Sequence, residues 1–272
     1  MNRHNTFIAS GLRSAVRNRE LIIQLIWREV LGRYRGSFAG LVWSFLNPLF
    51  FLCMYTFVFG VVFRARWGGA GESTLDFSLF LFAGLIVHGL LAECINRAPF
   101  LILGNPGYVK QVVFPLEVLP IVALGSALFH GLISLVLLIA IWAVSHGELP
   151  ASTVFIPFLL APLCLLALGL GWMLSSITVY FRDLGQIVGF ISSGLLFLSP
   201  VFYPTSAVPE PFRGFLQLNP LTYIIESLRN SLSGAGPTSI GSFIVYLAAS
   251  AAFAALGYAV FQKTRNGFAD VI

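Results

Sequence analysis

The sequence predicts an all-α polytopic membrane protein with six transmembrane helices, and three observations carry that prediction. Of 272 residues, 57% are hydrophobic and 10% charged, against roughly 25% charged in an ordinary soluble domain. Twenty-six phenylalanines, five tryptophans and eight tyrosines are more than one soluble core buries, and a mean hydropathy of +0.87 makes lipid the natural solvent for most of the surface. The few charges fall between long uncharged intervals, and Lys and Arg favour alternate connections.

The uncharged intervals mark the spans. Residues 36–63 carry no charge; as one helix they measure about 42 Å at ~1.5 Å per residue, longer than the ~30 Å hydrocarbon core, so the helix tilts or lies partly at the interface. Span 1 is expected at 38–62, span 2 at 77–94, span 3 at 117–144, span 4 at 154–180, span 5 at 186–203 and span 6 at 241–262. Six spans put both termini on one side, with Arg3, Arg13, Arg17, Arg19, Arg28, Arg33, Arg35, Arg97, Lys110, Arg182, Lys263 and Arg265. Only Arg64, Arg66, Arg213 and Arg229 fall on the other. Both termini are therefore expected in the cytoplasm. Residues 1–20 show no apolar core or small-residue cleavage site of a signal peptide. Cys53, Cys94 and Cys164 match no metal spacing and are expected to be reduced core residues.

In "ELIIQLIWREVLGRYR", Glu20, Gln24, Arg28 and Arg35 fall near one helical line and Leu21, Ile22, Leu25, Ile26 and Val30 on another. This predicts an amphipathic helix along the cytoplasmic interface, with Trp27 and Tyr34 at headgroup depth; it either anchors to lipid or docks a partner. The connection after span 5, residues 204–240, is too hydrophobic for a solvated loop. Pro209, Pro211 and Pro220 break it, and 221–232 has an amphipathic period, so it lies on the membrane surface or dips in and returns.

Several chemistries are missing. Lys110 and Lys263 are the only lysines, and neither closes a phosphate-binding loop; the H-E-x-x-H and G-x-S-x-G patterns are absent too. The chain is expected not to be an enzyme. Uphill transport would need ATP from another chain, or an ion gradient working through ionisable groups at membrane depth. The candidates are His88, His130, Glu93 and Glu117, and the histidines read as neutral packing residues. Span 1 carries Trp43, Asn47, Phe51, Tyr55 and Phe59 at every fourth position, a row that winds slowly around the helix. Aromatic rows pack helices or face lipid, but a buried phenol such as Tyr55 seeks a hydrogen bond, and sugar C–H faces stack on rings. Asn47-Pro48 and Ser199-Pro200 mark kinks that suit helices lining a path.

The order of several motifs resembles a known family. "RYRGSFAGLVWSFLNPL" enters span 1, "NPGYVKQVVFPLEVLP" covers 105–120, "YFRDLGQIV" follows span 4, and "LSPVFYPTSAVP" leads to "LNPLTYIIESLR" at 218–229. In this order around six spans the chain resembles the membrane-spanning permease subunit of ATP-driven, type-2 ABC polysaccharide exporters, in particular O-antigen exporters, with capsule and teichoic-acid exporters as relatives. The resemblance implies a homodimer in the bacterial inner membrane with two ATPase subunits, which bind ATP and Mg, and an undecaprenyl-linked polysaccharide as cargo. It divides the chain into a cytoplasmic arm with its interface helix (1–37), a transmembrane domain (38–262) and a tail (263–272). A coupling loop at 95–115 would offer Arg97, Asn105, Pro106, Tyr108, Lys110 and Gln111 to the ATPase. Re-entrant gate helices at 204–240 would work with Pro200, Pro209, Asn219, Pro220, Glu226 and Arg229. Spans 1 and 5 would line the channel, which makes Trp43, Phe51, Tyr55, Phe59, Phe197 and Tyr203 the expected sugar contacts, and Arg28, Arg33 and Arg35 the expected site for the anionic lipid head. The competing readings are an ion-coupled flippase, which calls for midplane acids or bases and internal repeats, and an ATP-driven drug or lipid exporter, which has no need of the aromatic row.

Overall fold

A computed structural model of the chain describes residue 14 and residues 16–63, 73–110, 114–236 and 238–272. Among them every regular element is helical. Helix α1 is Arg19–Arg33 and α2 is Trp43–Tyr55, which continues as a π-helix over Thr56–Val62; α3 is Thr74–Arg97. Two single turns, α4 (Phe100–Leu103) and α5 (Pro106–Val109), precede α6 (Val118–His146), α7 (Ile156–Tyr180) and α8 (Leu184–Leu198). Then come α9 (Glu210–Leu218), α10 (Pro220–Leu232), α11 (Ile240–Thr264) and a final turn α12 (Phe268–Val271). Arg3, Arg13, Arg64, Arg66 and Gln111 lie outside the described residues.

Among the described residues five stretches are long and apolar enough to cross a membrane: Gly40–Val62, Thr74–Arg97, Val118–His146, Ala151–Tyr180 and Ile240–Val271. They coincide with expected spans 1, 2, 3, 4 and 6. Expected span 5, 186–203, is shorter than the sequence suggested. Helix α8 has 15 residues, about 22 Å at ~1.5 Å per residue, less than the ~30 Å of a hydrocarbon core. It stops at Ser199, which is extended at ψ 153°, because the ring of Pro200 disfavours helical backbone in the residue before it. Pro48 behaves differently: α2 runs through it, with only the Ser44 carbonyl losing its helical partner.

The arm enters Gly40–Val62 through "GRYRGSFAG", where Gly36 and Gly40 take φ of 82° and 52°, left-handed values that suit residues without a Cβ. In α1 the apolar side chains divide between two faces. Ile22 and Leu25 pack on Val118 and Val122 of α6, while Ile23, Trp27 and Leu31 are exposed. The expected single apolar line is thus shared between a packed face and an open one.

Helix α3 is the hub. Of its apolar window 72% is buried, against 11% for Gly40–Val62, and it packs on α6, α7, α8 and α10. A capping box between Ser73 and Asp76 starts it. Helices α7 and α11 form the most extensive pair, and their backbones meet at Gly169 and Gly257, where an added Cβ on Gly257 would sit 2.2 Å from the Gly169 carbonyl oxygen. Helix α10 starts on Asn219, whose Oδ1 accepts from the Leu221 amide at 2.9 Å, with Pro220 in the first turn. Leu221, Ile224, Ile225, Leu228 and Leu232 then enter the same core as α3. Arg229 goes in with them, 3% exposed, and donates to the carbonyls of Phe80 (2.9 Å), Pro200 (2.6 Å) and Val201 (2.9 Å).

Two outcomes are expected. Gly257→Ala meets main chain that cannot rotate away, so it lowers stability by about 1–3 kcal/mol; Gly189→Ala, with nothing within 4 Å, leaves it within ~0.5 kcal/mol. Thermal unfolding in detergent compares them. Arg229→Met strands three buried carbonyls and costs about 3–5 kcal/mol in the same measurement.

Candidate functional site

The aromatic row of the Gly40–Val62 stretch continues beyond it. Ring centroids step from Phe51 to Tyr55 (6.2 Å), Tyr55 to Phe59 (6.3 Å) and Phe59 to Phe63 (5.7 Å). From Phe59 the row crosses to Phe202 at 5.7 Å, nearly parallel at 26°, and from Phe202 to Phe197 at 5.7 Å and 30°. Four of the six expected sugar contacts, Phe51, Tyr55, Phe59 and Phe197, are therefore brought into one file. Phe202, which the sequence reading passed over, is the ring that joins the two halves. Tyr203 joins only through its hydroxyl, which donates to the Phe197 carbonyl at 3.0 Å, and burial raises its phenol above the usual range. Helix α8 ends at Leu198, so Phe202 and Tyr203 lie in the turn that follows it. Phe51 and Phe197 are exposed, so the row is open along one side of the chain. The Tyr55 hydroxyl has no hydrogen-bond partner among the described residues.

Beside this row lies a cavity of about 340 Å³ between α2, α3 and α6, walled by Asn47, Pro48, Phe51, Tyr55, His88 and His130. A second cavity, about 420 Å³, shares Asn47, Pro48, His130 and Ser134 with it and reaches Trp43, Tyr34 and Arg33. Trp43 thus stands apart from the rings of the row. Burial raises the phenol of Tyr34, against the opposing influence of Arg33. His88 Nε2 lies 3.1 Å from the Ser192 carbonyl and His130 Nδ1 2.8 Å from that of Ser126, while His130 Nε2 is buried with no partner among the described residues. Glu117, buried at the start of α6, accepts from Arg265 Nη1 at 2.8 Å and Ser14 Oγ at 2.9 Å.

At the end of α3 that carries α1, α4 and α5, charges form a ladder. Arg33 pairs with Glu93, Glu93 lies 3.6 Å from Arg97, and Arg97 pairs with Glu29 at 2.5 Å. Arg28 Nη2 donates to the Tyr108 hydroxyl at 2.6 Å, and the Tyr108 ring stacks on Phe114 at 4.2 Å and 6°. Of the expected lipid-head residues, Arg28 and Arg33 therefore have partners within the chain, while all three including Arg35 keep exposed surface. Of the expected coupling residues, Arg97, Asn105 and Tyr108 wall a cavity of about 330 Å³ with Arg28 and Glu29. Pro106 and Lys110 are exposed beside it.

At the other end of α3, near Phe80, lie the expected gate residues. Arg229 binds the Pro200 carbonyl as described, and Glu226 reaches Arg229 Nη1 at 3.4 Å. Asn219 donates to Ser199 Oγ at 2.9 Å, which ties the start of α10 to the end of α8. Pro209 sits at the entry of α9. Arg229 is buried and its charge is met by Glu226. No group of three or more His, Cys, Asp or Glu side chains that could hold a metal occurs among the described residues.

The chain's residues 20–233 match the family model described as ABC-2 type transporter. It is 28% identical over 264 residues to the O-antigen export system permease protein RfbA of Myxococcus xanthus, which covers 96% of this chain and 98% of that protein. A Klebsiella pneumoniae protein of the same name is 25% identical over 255 residues, 93% of this chain and 95% of its own length. The polysialic acid transport protein KpsM of Escherichia coli is 25% identical over 227 residues, 82% of this chain and 85% of that protein. The matched interval opens on α1 and closes just past α10, taking in the charge ladder, the aromatic row and the buried arginine. This chain is a multi-pass membrane protein of the ABC-2 type transporter family, a transport subunit rather than an enzyme.

Proposed function

We propose that the chain is the permease subunit of an ATP-driven exporter of lipid-linked polysaccharide of the O-antigen type. It works in the bacterial inner membrane as a homodimer with two separate ATPase subunits that bind ATP and Mg. Six spans, with α8 as the short fifth, put both termini in the cytoplasm; α1 is then the interface helix, and α9 and α10 are re-entrant gate helices. The observation that carries the reading is the open file of rings from Phe51 to Phe197. Stacked rings hold the C–H faces of successive sugars without demanding one sequence of hydroxyls, which is what passage of a polymer requires. Relatives named for O-antigen and polysialic acid export, similar over most of the chain, support the same conclusion. The ion pairs of Glu93 and Glu117 weigh against an ion-coupled carrier, which needs groups free to exchange protons.

In this mechanism the lipid head meets Arg35 and the exposed parts of Arg28 and Arg33 at the cytoplasmic interface. Closure of the ATPase dimer on ATP displaces α4–α5 and α1 together, because Tyr108 and Arg28 join them. The ladder passes that displacement to α3. The glycan enters by the cavities at Asn47 and moves along the row toward the gate.

Two measurements test this reading. Tyr55→Ala with Phe59→Ala is expected to reduce surface polysaccharide at least tenfold, equivalent to about 1.4 kcal/mol of lost stacking, while the ATPase still co-purifies; unchanged export removes the row from the path. Tyr108→Phe keeps the ring stack and deletes the hydrogen bond from Arg28. It is expected to leave ATPase docking intact and lower polysaccharide exported per ATP hydrolysed. Arg28→Ala alone costs more, because the lipid head also loses a contact, and adding Tyr108→Phe to it costs nothing further in a double-mutant cycle. A double variant worse than Arg28→Ala would separate the two residues.

A further inference from the structure

At the end of α3 away from α1, a cleft of about 600 Å³ opens between α9, α10 and the start of α11, within the ~300–1,000 Å³ of small-ligand sites. Its lining is unlike that of the aromatic file. Of the residues around it, Leu216 alone lacks a polar side-chain group. Arg213 is fixed in the wall by donating Nε to the Val208 carbonyl at 2.8 Å and Nη2 to that of Ser206 at 3.0 Å. Glu226, whose charge is shared with the buried Arg229, adds a carboxylate acceptor to the wall.

Much of the hydrogen-bonding capacity here is unspent. Thr222, 7% exposed, has a buried Oγ1 with no partner among the described residues, a costly state unless a ligand or water satisfies it. The Gln217 amide is exposed and carries no side-chain bond among the described residues, and the Asn230 amide reaches only Thr238 Oγ1, at 3.4 Å. Amides and a hydroxyl that donate and accept, beside a carboxylate that accepts and a guanidinium already held by carbonyls, are the chemistry that recognises a polyhydroxylated group. A phospholipid head fits less well, because its acyl chains need an apolar exit. The exposed apolar residues of α9, Phe212, Phe215 and Leu218, occupy the helix face opposite Arg213 and Gln217.

We propose that this cleft is a second glycan subsite, distinct from the ring file, which takes uncharged sugar units of the polymer by hydrogen bonds as they reach the gate; it rests on the polysaccharide-export reading. The test uses the full chain in phosphatidylcholine nanodiscs, carrying Tyr55→Ala and Phe59→Ala so that the ring file does not contribute. The probe is the repeat-unit oligosaccharide released by mild acid from the source bacterium's own surface polysaccharide. Adding Gln217→Ala and Asn230→Ala is expected to weaken its binding at least tenfold, with unfolding temperature unchanged because Gln217 is exposed, and phosphorylethanolamine is expected not to compete. No binding before those two changes, equal binding after them, or displacement by phosphorylethanolamine, which would mark a lipid-head site, overturns the proposal. Gln217→Trp, which fills the cleft, gives an independent arm: export in cells is expected to fall at least fivefold, and undiminished export counts against the subsite. Cells with the unaltered chain separate the two readings. If they export no polysaccharide, the function proposed above fails; if they export and the oligosaccharide ignores the cleft, the subsite alone fails.

Discussion

The guanidinium of Arg229 is the contact on which the architecture at the α10 end of α3 rests. A buried cation costs several kcal/mol unless its hydrogen-bonding groups are met, and here the carbonyls of Phe80, Pro200 and Val201 and the carboxylate of Glu226 meet them. Those carbonyls belong to α3 and to the turn after α8, so one side chain from α10 fastens both. The approach needs Gly84, where an added Cβ would sit 2.9 Å from Arg229 Nη2 and 3.2 Å from Val201 Cα. Holding Val201 also holds Phe202, the ring that links Phe59 to Phe197. The continuity of the aromatic file is therefore tied to Arg229 through the backbone of Val201.

The opposite end of α3 is built on weaker bonds for a different purpose. The pairs Arg33–Glu93 and Arg97–Glu29 are part-exposed, and pairs of that kind contribute about 0–1 kcal/mol each. Their value is in registry: they fix α1 to one face of α3, and Arg28 fixes α1 to the turn at Tyr108. Helix α3 spans Thr74–Arg97 without interruption, so Glu93 and Arg97 at one end and Phe80 and Gly84 at the other belong to one rod. In the proposed mechanism a displacement applied through α1 and α5 would be carried by that rod to the Arg229 cluster.

Much of this was legible in the sequence, for identifiable reasons. Five apolar stretches stand out because charges bound them, and Asn219-Pro220 announces α10 because a capping Asn before Pro is a strong start signal. What the sequence does not carry depends on tertiary partners. Nothing in it signals that Arg28 and Arg33 also reach Tyr108 and Glu93, which are remote in the chain. Hydropathy continues past Ser199, so span 5 is expected to run to 203, although the pre-proline restriction on Ser199 argues for an earlier end. Phe202 follows that break and has no periodic signal of its own.

The face that span 1 turns to its path also follows from backbone geometry. In an α-helix each step of four residues overshoots a full turn by about 40°, so Phe51, Tyr55, Phe59 and Phe63 would spiral away from one another's line. The backbone over Thr56–Val62 is a π-helix, with about 4.4 residues per turn in its wider i→i+5 winding, and there a step of four falls short of a full turn by about 30°. The overshoot of the first step and the shortfall of the later ones oppose each other. The near-constant centroid spacing of 6.2, 6.3 and 5.7 Å fits such a straightened file. Gly60 permits the wider turn to pack, since a Cβ there would sit 2.1 Å from Thr74 Cγ2 on α3. The π-helix thus converts a winding pattern in the sequence into one rail, and it does so where Phe59 must meet Phe202.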